Sequence, residues 1–354
     1  MSRISRLKKV LIGVVLCITM LLTACSSEKI GLLPVESAGT EKKIQIGMSF
    51  DSFVIERWQR DRDVFVSTAK ALGAEVNVQN ANGIIEEQRK QIEYFIEKGV
   101  DAIVIVCIDS YGLSDVISKA HQAGIKVIAY DRSIDADIDL YISFDNSAVG
   151  RLMGNAIADK LEENGKVLML GGSPTDSNVP LVENAFRECM EEKNIQILDS
   201  MHCENWTAEL AADYLYMHEE LMNEADAIMC GNDNIAGQVI NVLAEKRLAG
   251  EKLVTGQDAD LEACQRLVED TQLMTVYKPV VTLAKRAAEC TIELVRNSRL
   301  EGSDLSVFTV GEHQIPYIGM DPIAVEKSTV DDIIIASGFH MREDVYLNVP
   351  DSGK

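Results

Sequence analysis

Six short apolar runs in this 354-residue chain end on small or strongly hydrogen-bonding residues. Ile44–Phe50 closes on Asp51, Lys126–Tyr130 on Asp131-Arg132, and Lys166–Leu170 on Gly171-Gly172-Ser173-Pro174. Ala227–Cys230 closes on Gly231-Asn232-Asp233, Lys252–Thr255 on Gly256-Gln257-Asp258, and Leu273–Val276 on Tyr277-Lys278-Pro279. Five of these ends thus deliver Asp, Arg, Asn or Lys. Carboxylates accept, guanidinium and ammonium groups donate, and amides do both, several of them in fixed planes. Such a set suits a ligand with many hydroxyls, each of which donates and accepts. Singly, each residue has a plainer reading: an Asp after a strand commonly caps the next helix, which applies to Asp233 and Asp258. Asp131-Arg132 reads as a surface pair, and Lys278 as an offset to nearby acids. Recurrence at successive run ends favours the joint reading. Both tryptophans lie close by: Trp58 follows Glu56-Arg57, and Trp206 follows the run Ile195–Cys203. Core packing is the usual role of Trp, but a flat aromatic face also suits the C–H side of a sugar ring.

The elements that must position these residues follow from the periodicity. Beyond those six runs, Glu75–Ala81, Ala102–Cys107, Tyr141–Asp145 and Ile195–Cys203 are strand-like. Between them lie helical patterns, as in Ile84–Lys98, Val149–Leu161 and Val280–Arg296. Strands buried on both faces read as continuous Val/Ile/Leu runs, and βαβ alternation implies a parallel sheet. Ten such runs predict an α/β fold of two doubly wound domains or one closed barrel. Gly99, Gly124 and Gly250 sit where helices should end. In open parallel sheets ligands bind beyond the carboxyl ends of the strands, which is where the polar residues fall.

Composition removes several classes. A net charge of −22 argues against nucleic acid, since phosphate binding needs a cationic face. Eight cysteines in this length are too few for a disulfide scaffold and have no C-x-x-C spacing. There is no G-x-G-x-x-G, P-loop or G-x-S-x-G pattern. His218-Glu219 lacks the second His of a zincin. Asp135-Ala136-Asp137-Ile138-Asp139 starts like a calcium loop but has Leu140 where Gly is needed and Asn146 where Glu is needed. No His closes a strand, so neither a catalytic set, a metal site nor a cofactor is expected.

The first nine residues carry Arg3, Arg6, Lys8 and Lys9 and no acid, and an apolar run Val10–Leu22 follows. This is the n-region and h-region of a secretory signal, short for a membrane span. Leu22-Thr23-Ala24-Cys25 resembles the bacterial lipoprotein box, which implies a signal peptide at 1–24, lipid on Cys25 and a tether at 25–41. Loss of 1–24 takes the net charge from −22 to −26. Of the six remaining cysteines, Cys107 and Cys230 lie inside apolar runs and read as buried thiols.

Several longer stretches resemble one family: Ile55-Glu56-Arg57-Trp58-Gln59-Arg60-Asp61-Arg62-Asp63, Val78-Gln79-Asn80-Ala81-Asn82-Gly83, Ala129-Tyr130-Asp131-Arg132, Tyr141-Ile142-Ser143-Phe144-Asp145-Asn146, Gly171-Gly172-Ser173-Pro174, Thr255-Gly256-Gln257-Asp258-Ala259-Asp260-Leu261 and Met274-Thr275-Val276-Tyr277-Lys278-Pro279. They look like the bacterial D-xylose-binding proteins of ABC transporters, within the ribose/galactose-type periplasmic binding proteins. The likeness runs from about residue 43 to 345. It implies two Rossmann-like lobes with parallel sheets joined by a three-segment hinge, the first from 42–147 plus 280–312, the second from 148–279 plus 313–341, with 342–354 as a tail. Carried onto matching positions, the implied sugar contacts are Arg57, Trp58, Asp131, Arg132, Asn178, Trp206, Asn232, Asp258 and Lys278.

The resemblance implies a monomeric, extracytoplasmic binding protein. It would capture a monosaccharide, D-xylose first, and hand it to an ABC permease while lipid holds it at the membrane. One alternative is a sensor presenting the sugar to a membrane histidine kinase. A glycosidase working through paired carboxylates and a sugar-responsive repressor are further readings; the leader and the acidic charge oppose the repressor.

Overall fold

The computed structural model describes residues 43–161 and 164–349. The expected signal peptide, Cys25 and the tether lie outside the described residues. In chain order the elements are β1 (Ile44–Phe50), α1 (Arg57–Ala71), β2 (Ala74–Asn80), α2 (Ile85–Lys98), β3 (Ala102–Ile105), α3 (Ser114–Gln122), β4 (Lys126–Tyr130), β5 (Leu140–Phe144), α4 (Asn146–Ala158), β6 (Lys166–Gly171), α5 (Asn178–Glu192), β7 (Gln196–His202), α6 (Glu209–Met217), α7 (Glu219–Glu224), β8 (Ala227–Cys230), α8 (Asp233–Glu245), β9 (Leu253–Gln257), α9 (Leu261–Val268), β10 (Met274–Tyr277), α10 (Val280–Asn297), β11 (Ser306–Val310), β12 (His313–Met320), β13 (Ile323–Glu326) and α11 (Arg342–Val345).

The strands form two sheets, ordered β11-β12-β5-β4-β3-β1-β2 and β13-β10-β9-β8-β6-β7. Pairing is parallel throughout except for β11 on β12 and β13 on β10. The central strands are buried along their length, as in Ala102–Ile105 and Ala227–Cys230, which is why they read as unbroken apolar runs. Strand order reverses between β1 and β3 in one sheet and between β6 and β8 in the other, and the crevice at such a switch point is where a doubly wound sheet binds its ligand. Two lobes result, one per sheet, and the barrel alternative is excluded.

The chain crosses between lobes three times. After β5 it enters α4, which packs on α5; after β10 it returns through α10, which packs on α1. The last crossing lies at Asp321-Pro322, because β12 pairs with β5 while β13 pairs with β10. This corrects the expected boundary: residues 313–320 belong to the first lobe. Pro316 and the half-exposed residues of β12 hide a strand in which Ile315 and Ile318, on opposite faces, are the buried residues. Nor does 342 begin a free tail: Val345 is buried, and Gln265 donates to the Asp344 carbonyl 2.8 Å away.

Gly99, Gly124 and Gly250 take positive φ of 64°, 77° and 81°, as their helix-ending and turn positions require. Cys107, Cys189, Cys203, Cys230, Cys264 and Cys290 are buried and unpaired. Helix α4 packs tightly on α5: a Cβ on Gly150 would lie 2.1 Å from the Val182 carbonyl oxygen. Backbone cannot swing aside as a side chain does, so Gly150→Ala should cost about 1–3 kcal/mol by overpacking. Urea unfolding at the wild-type midpoint would overturn this contact.

Candidate functional site

The carboxyl ends of the two sheets face each other, and nearly every charged group they carry is buried. Arg57, the first residue of α1, donates through Nη2 to Asp131 Oδ2 at 2.6 Å and to Asp61 Oδ1 at 3.4 Å. Its Nη1 lies 3.6 Å from Asp258 Oδ1 of the second lobe. Lys278 Nζ approaches that same oxygen at 3.2 Å. Arg132 donates through Nη1 to Asp51 Oδ2 at 2.8 Å and to the Cys107 carbonyl at 2.9 Å. Its Nε forms an ion pair with Asp176 Oδ2 of the second lobe at 2.6 Å. Both guanidiniums stand over the Trp58 ring, 4.4 Å and 5.6 Å from its centroid, so the indole is a platform for cations as well as core.

The backbone makes this convergence possible. Asp131 follows β4 with φ 66°, and Asp258 follows β9 with φ 99°. Non-glycine residues rarely adopt such angles, and each costs on the order of 1–3 kcal/mol. In both places the amide is pinned to the next strand: Asp131 N donates to the Ile142 carbonyl at 2.8 Å, and Asp258 N to the Val276 carbonyl at 2.8 Å. The same turn, used once in each lobe, swings a carboxylate out of the strand line and into the space between the sheets.

Other bonds tie the lobes together at this point. Asn178 Nδ2 donates to the Asp131 carbonyl at 3.1 Å and to its Oδ1 at 3.2 Å. Ser133 N donates to Ser177 Oγ, and Thr175 Oγ1 to the Ile108 carbonyl. On the far side Arg60 of α1 stacks 3.9 Å above Phe339. Trp206 Nε1 donates to Asp176 Oδ2 at 3.2 Å, joining the second tryptophan to Arg132 through one carboxylate. Trp206 and Asn205 have φ of 59° and 51°, and the Trp206 ring lies over Gly172, where a Cβ would come within 2.2 Å of it.

Charge follows geometry. Burial alone would push Asp131 up, but Arg57, then Lys278 and Arg132, hold it below its ordinary value. Arg57 is held well above its own: burial opposes the charge, and Asp131, Asp61 and Asp258 outweigh burial. Burial keeps Asp51 and Asp176 raised despite Arg132. Arg57 Nε, Trp58 Nε1 and Gln257 Oε1 are buried with no hydrogen-bond partner among the described residues. Buried polar atoms of this kind are costly unless something bonds to them, and together they offer donors and an acceptor to a polar ligand. Cavities touch the network at Arg57 and Asp258, and at Asp51, Arg132 and Trp206.

Of the nine residues expected from the sequence, Arg57, Trp58, Asp131, Arg132, Asn178, Asp258 and Lys278 meet directly, and Trp206 joins through Asp176. Asn232 is buried at the end of β8, but its Oδ1 is engaged in capping α8, accepting from Ile235 N at 2.9 Å. The capping reading of Asp233 moves one residue back to Asn232. Asp233 instead accepts from Thr275, Gln272 and the Asp260 amide, and Asp258 caps nothing. Asp176, Asp61, Tyr130 and Gln257 were missed. Asp51, which closes β1, joins the network through Arg132 without standing among the expected contacts. Asp61 was readable as the i+4 partner of Arg57 on one helix; Asp176 lies in a loop whose course no local pattern reveals.

A model of the periplasmic binding protein domain matches residues 46–299. The chain belongs to the periplasmic binding protein domain family. Its similarity extends to a D-xylose-binding periplasmic protein of Haemophilus influenzae, 39% identical over 90% of this chain and 97% of that one. A D-xylose-binding periplasmic protein of Escherichia coli is 40% identical over 92% of this chain and 98% of its own length. In three dimensions the chain superposes on an ABC transporter solute-binding protein from Clostridium phytofermentans with bound β-D-glucose (TM-score 0.76, 23% identity, covering 85% of this chain and 99% of that one). That last likeness bears on fold alone. For a family of two-lobed binders, the cross-lobe network stands where the topology places the ligand.

Beneath the network, Tyr130 Oη donates to Asp61 Oδ1, and Asp61 Oδ2 has no partner among the described residues. Burial, only partly offset by Arg57, raises the Asp61 carboxyl from 3.8 to about 6. A carboxyl that holds its proton more tightly when folded contributes stability that is complete below about pH 4 and fades as pH rises through about 6. Asn mimics the protonated acid, so Asp61→Asn should gain on the wild type by up to about 3 kcal/mol from pH 4 to pH 7. Urea titrations at both pH values measure this; an unchanged difference would contradict it.

Proposed function

We propose that this chain is an extracytoplasmic, lipid-anchored sugar-binding protein that captures a monosaccharide, D-xylose first, between its lobes and delivers it to an ABC permease. It is a binding protein and not an enzyme. The observation that carries the sugar assignment is the buried ring of fixed-plane donors and acceptors contributed by both lobes: Arg57, Asp131 and Arg132 on one side, Asp176, Asn178, Asp258 and Lys278 on the other. Two relatives at about 40% identity with D-xylose in their names select the pentose. A sugar hydroxyl donates to Asp and accepts from Arg, so one hydroxyl can bridge an ion pair without leaving either charge bare. Trp58 and Trp206 supply apolar faces for the ring carbons.

The steps follow from the hinge. Sugar meets one lobe first and exchanges water for charge-assisted bonds, each worth about 1.5–3 kcal/mol net. The second lobe adds its half of the ring, and binding favours closure by the difference in affinity between the open and closed forms. Micromolar affinity requires about −8 kcal/mol, which a few such bonds supply after the entropic cost.

Isothermal titration should show D-xylose binding to the wild type, with Asp258→Asn and Arg132→Lys each weakening it at least about tenfold, the factor that 1.4 kcal/mol represents. Unchanged affinity in either variant would remove that residue from the site. The lipid anchor rests on Cys25 following Leu22-Thr23-Ala24. Cys25→Ser should move the protein from the membrane fraction to the soluble one, and retention at the membrane would contradict the anchor.

A further inference from the structure

Helix α1 and the residue before it carry two pairs spaced one turn apart. Arg57 and Asp61 are buried in the charged network. Glu56 and Arg60 lie outside it, Glu56 exposed and Arg60 half-exposed, and both reach the second lobe. Glu56 stands at the N-cap of α1 but gives its own helix no side-chain bond. Its carboxylate instead accepts from the amide of Leu261, the first residue of α9. That helix has a vacancy there, for its own N-cap residue, Asp260, makes no side-chain capping bond. The leading amides of a helix have no partner within it, and the helix dipole favours a carboxylate beside them. One lobe therefore caps a helix of the other. Four residues on, the Arg60 guanidinium stands 3.9 Å from the centre of the Phe339 ring, a cation on an aromatic face.

The surface that receives these two groups is braced. Phe339 packs edge-on against Tyr277 at the end of β10, with ring centres 4.8 Å apart. Beside it, His340 Nε2 bonds the Ala259 carbonyl at 2.8 Å; a carbonyl only accepts, so that nitrogen carries the proton. Ala259 follows Asp258, and Tyr277 precedes Lys278. The turn that supplies Asp258, the strand end that supplies Lys278 and the two docking points for α1 thus share one frame. Both contacts cross from lobe to lobe, so separation of the lobes breaks both, whatever occupies the cleft.

We propose that Glu56 and Arg60 are positioning residues that latch the closed state: without touching the sugar, they hold the second lobe over it and so set how long it stays. The proposal rests on the reading above, in which sugar closes the lobes, and adds the residues that keep them closed. The open form makes neither contact, so a weaker latch leaves capture unchanged and hastens release.

Stopped-flow tryptophan fluorescence of the full chain with D-xylose tests this, since both tryptophans lie at the site. In Glu56→Ala/Arg60→Gln the dissociation rate should rise at least about fivefold, the effect of losing one cap and one cation–aromatic contact, with the association rate unchanged. Arg60→Lys keeps a cation for the ring and should release sugar more slowly than Arg60→Gln. Dissociation of the double variant at the wild-type rate overturns the latch, and so does a loss of affinity that falls on association alone. Equal release from Arg60→Lys and Arg60→Gln overturns the Phe339 contact as a part of it. Wild-type protein that does not bind D-xylose would overturn the sugar reading and this proposal with it, and is a distinct result.

Discussion

The structure turns on the burial of two guanidinium groups between two sheets. Arg57 and Arg132 are each at most 4% exposed, and a charge taken out of water costs several kcal/mol unless carboxylates meet it in good geometry. Neither lobe meets that need alone. Asp131, Asp61 and Asp51 come from the first lobe; Asp258 and Asp176 come from the second. The lobes are thus complementary in charge at the one place where each leaves its strand ends uncovered, and a ligand that enters must satisfy the same groups.

Much else serves that arrangement. The parallel order places the carboxyl ends of β1, β3, β4, β6, β8, β9 and β10 on the facing sides of the lobes. The left-handed turns at Asp131 and Asp258 aim the carboxylates, and their strain is held by single backbone bonds to β5 and β10. Gly172 lets the Trp206 ring lie flat on the end of β6. Under the site, Tyr130 and Asp61 buttress Arg57 from its own lobe, so that guanidinium is positioned before the second lobe arrives. Strain and burial concentrated here are the usual mark of a binding site.

How much was legible follows from the range of each interaction. Buried parallel strands have an unmistakable pattern, so the ten apolar runs correspond to β1 through β10, and the residues closing them identified most of the network. β11, β12 and β13 are not readable, because half-exposed strands lack an unbroken apolar run, and so the third crossing lies several residues beyond its expected place. The role of Asn232 divided between capping and the site, since the same amide chemistry serves both. Asp176 was out of reach: Trp206 lies 30 positions away in its own lobe, and Arg132 lies 44 positions away in the other, where only the docking of the lobes brings it near. Asp61 lies one helical turn beyond Arg57 and was missed only because an i,i+4 pair is commonly a surface feature, whereas here both members are buried.

If the shared charge network couples sugar to the lobes, binding must draw them together. Small-angle X-ray scattering of the protein with and without saturating D-xylose measures this directly. The account predicts a smaller radius of gyration with the sugar in the wild type and, at a sugar concentration that just saturates the wild type, a smaller contraction in Asp258→Asn. Binding of D-xylose with an unchanged radius of gyration, or equal contraction in that variant, would contradict it.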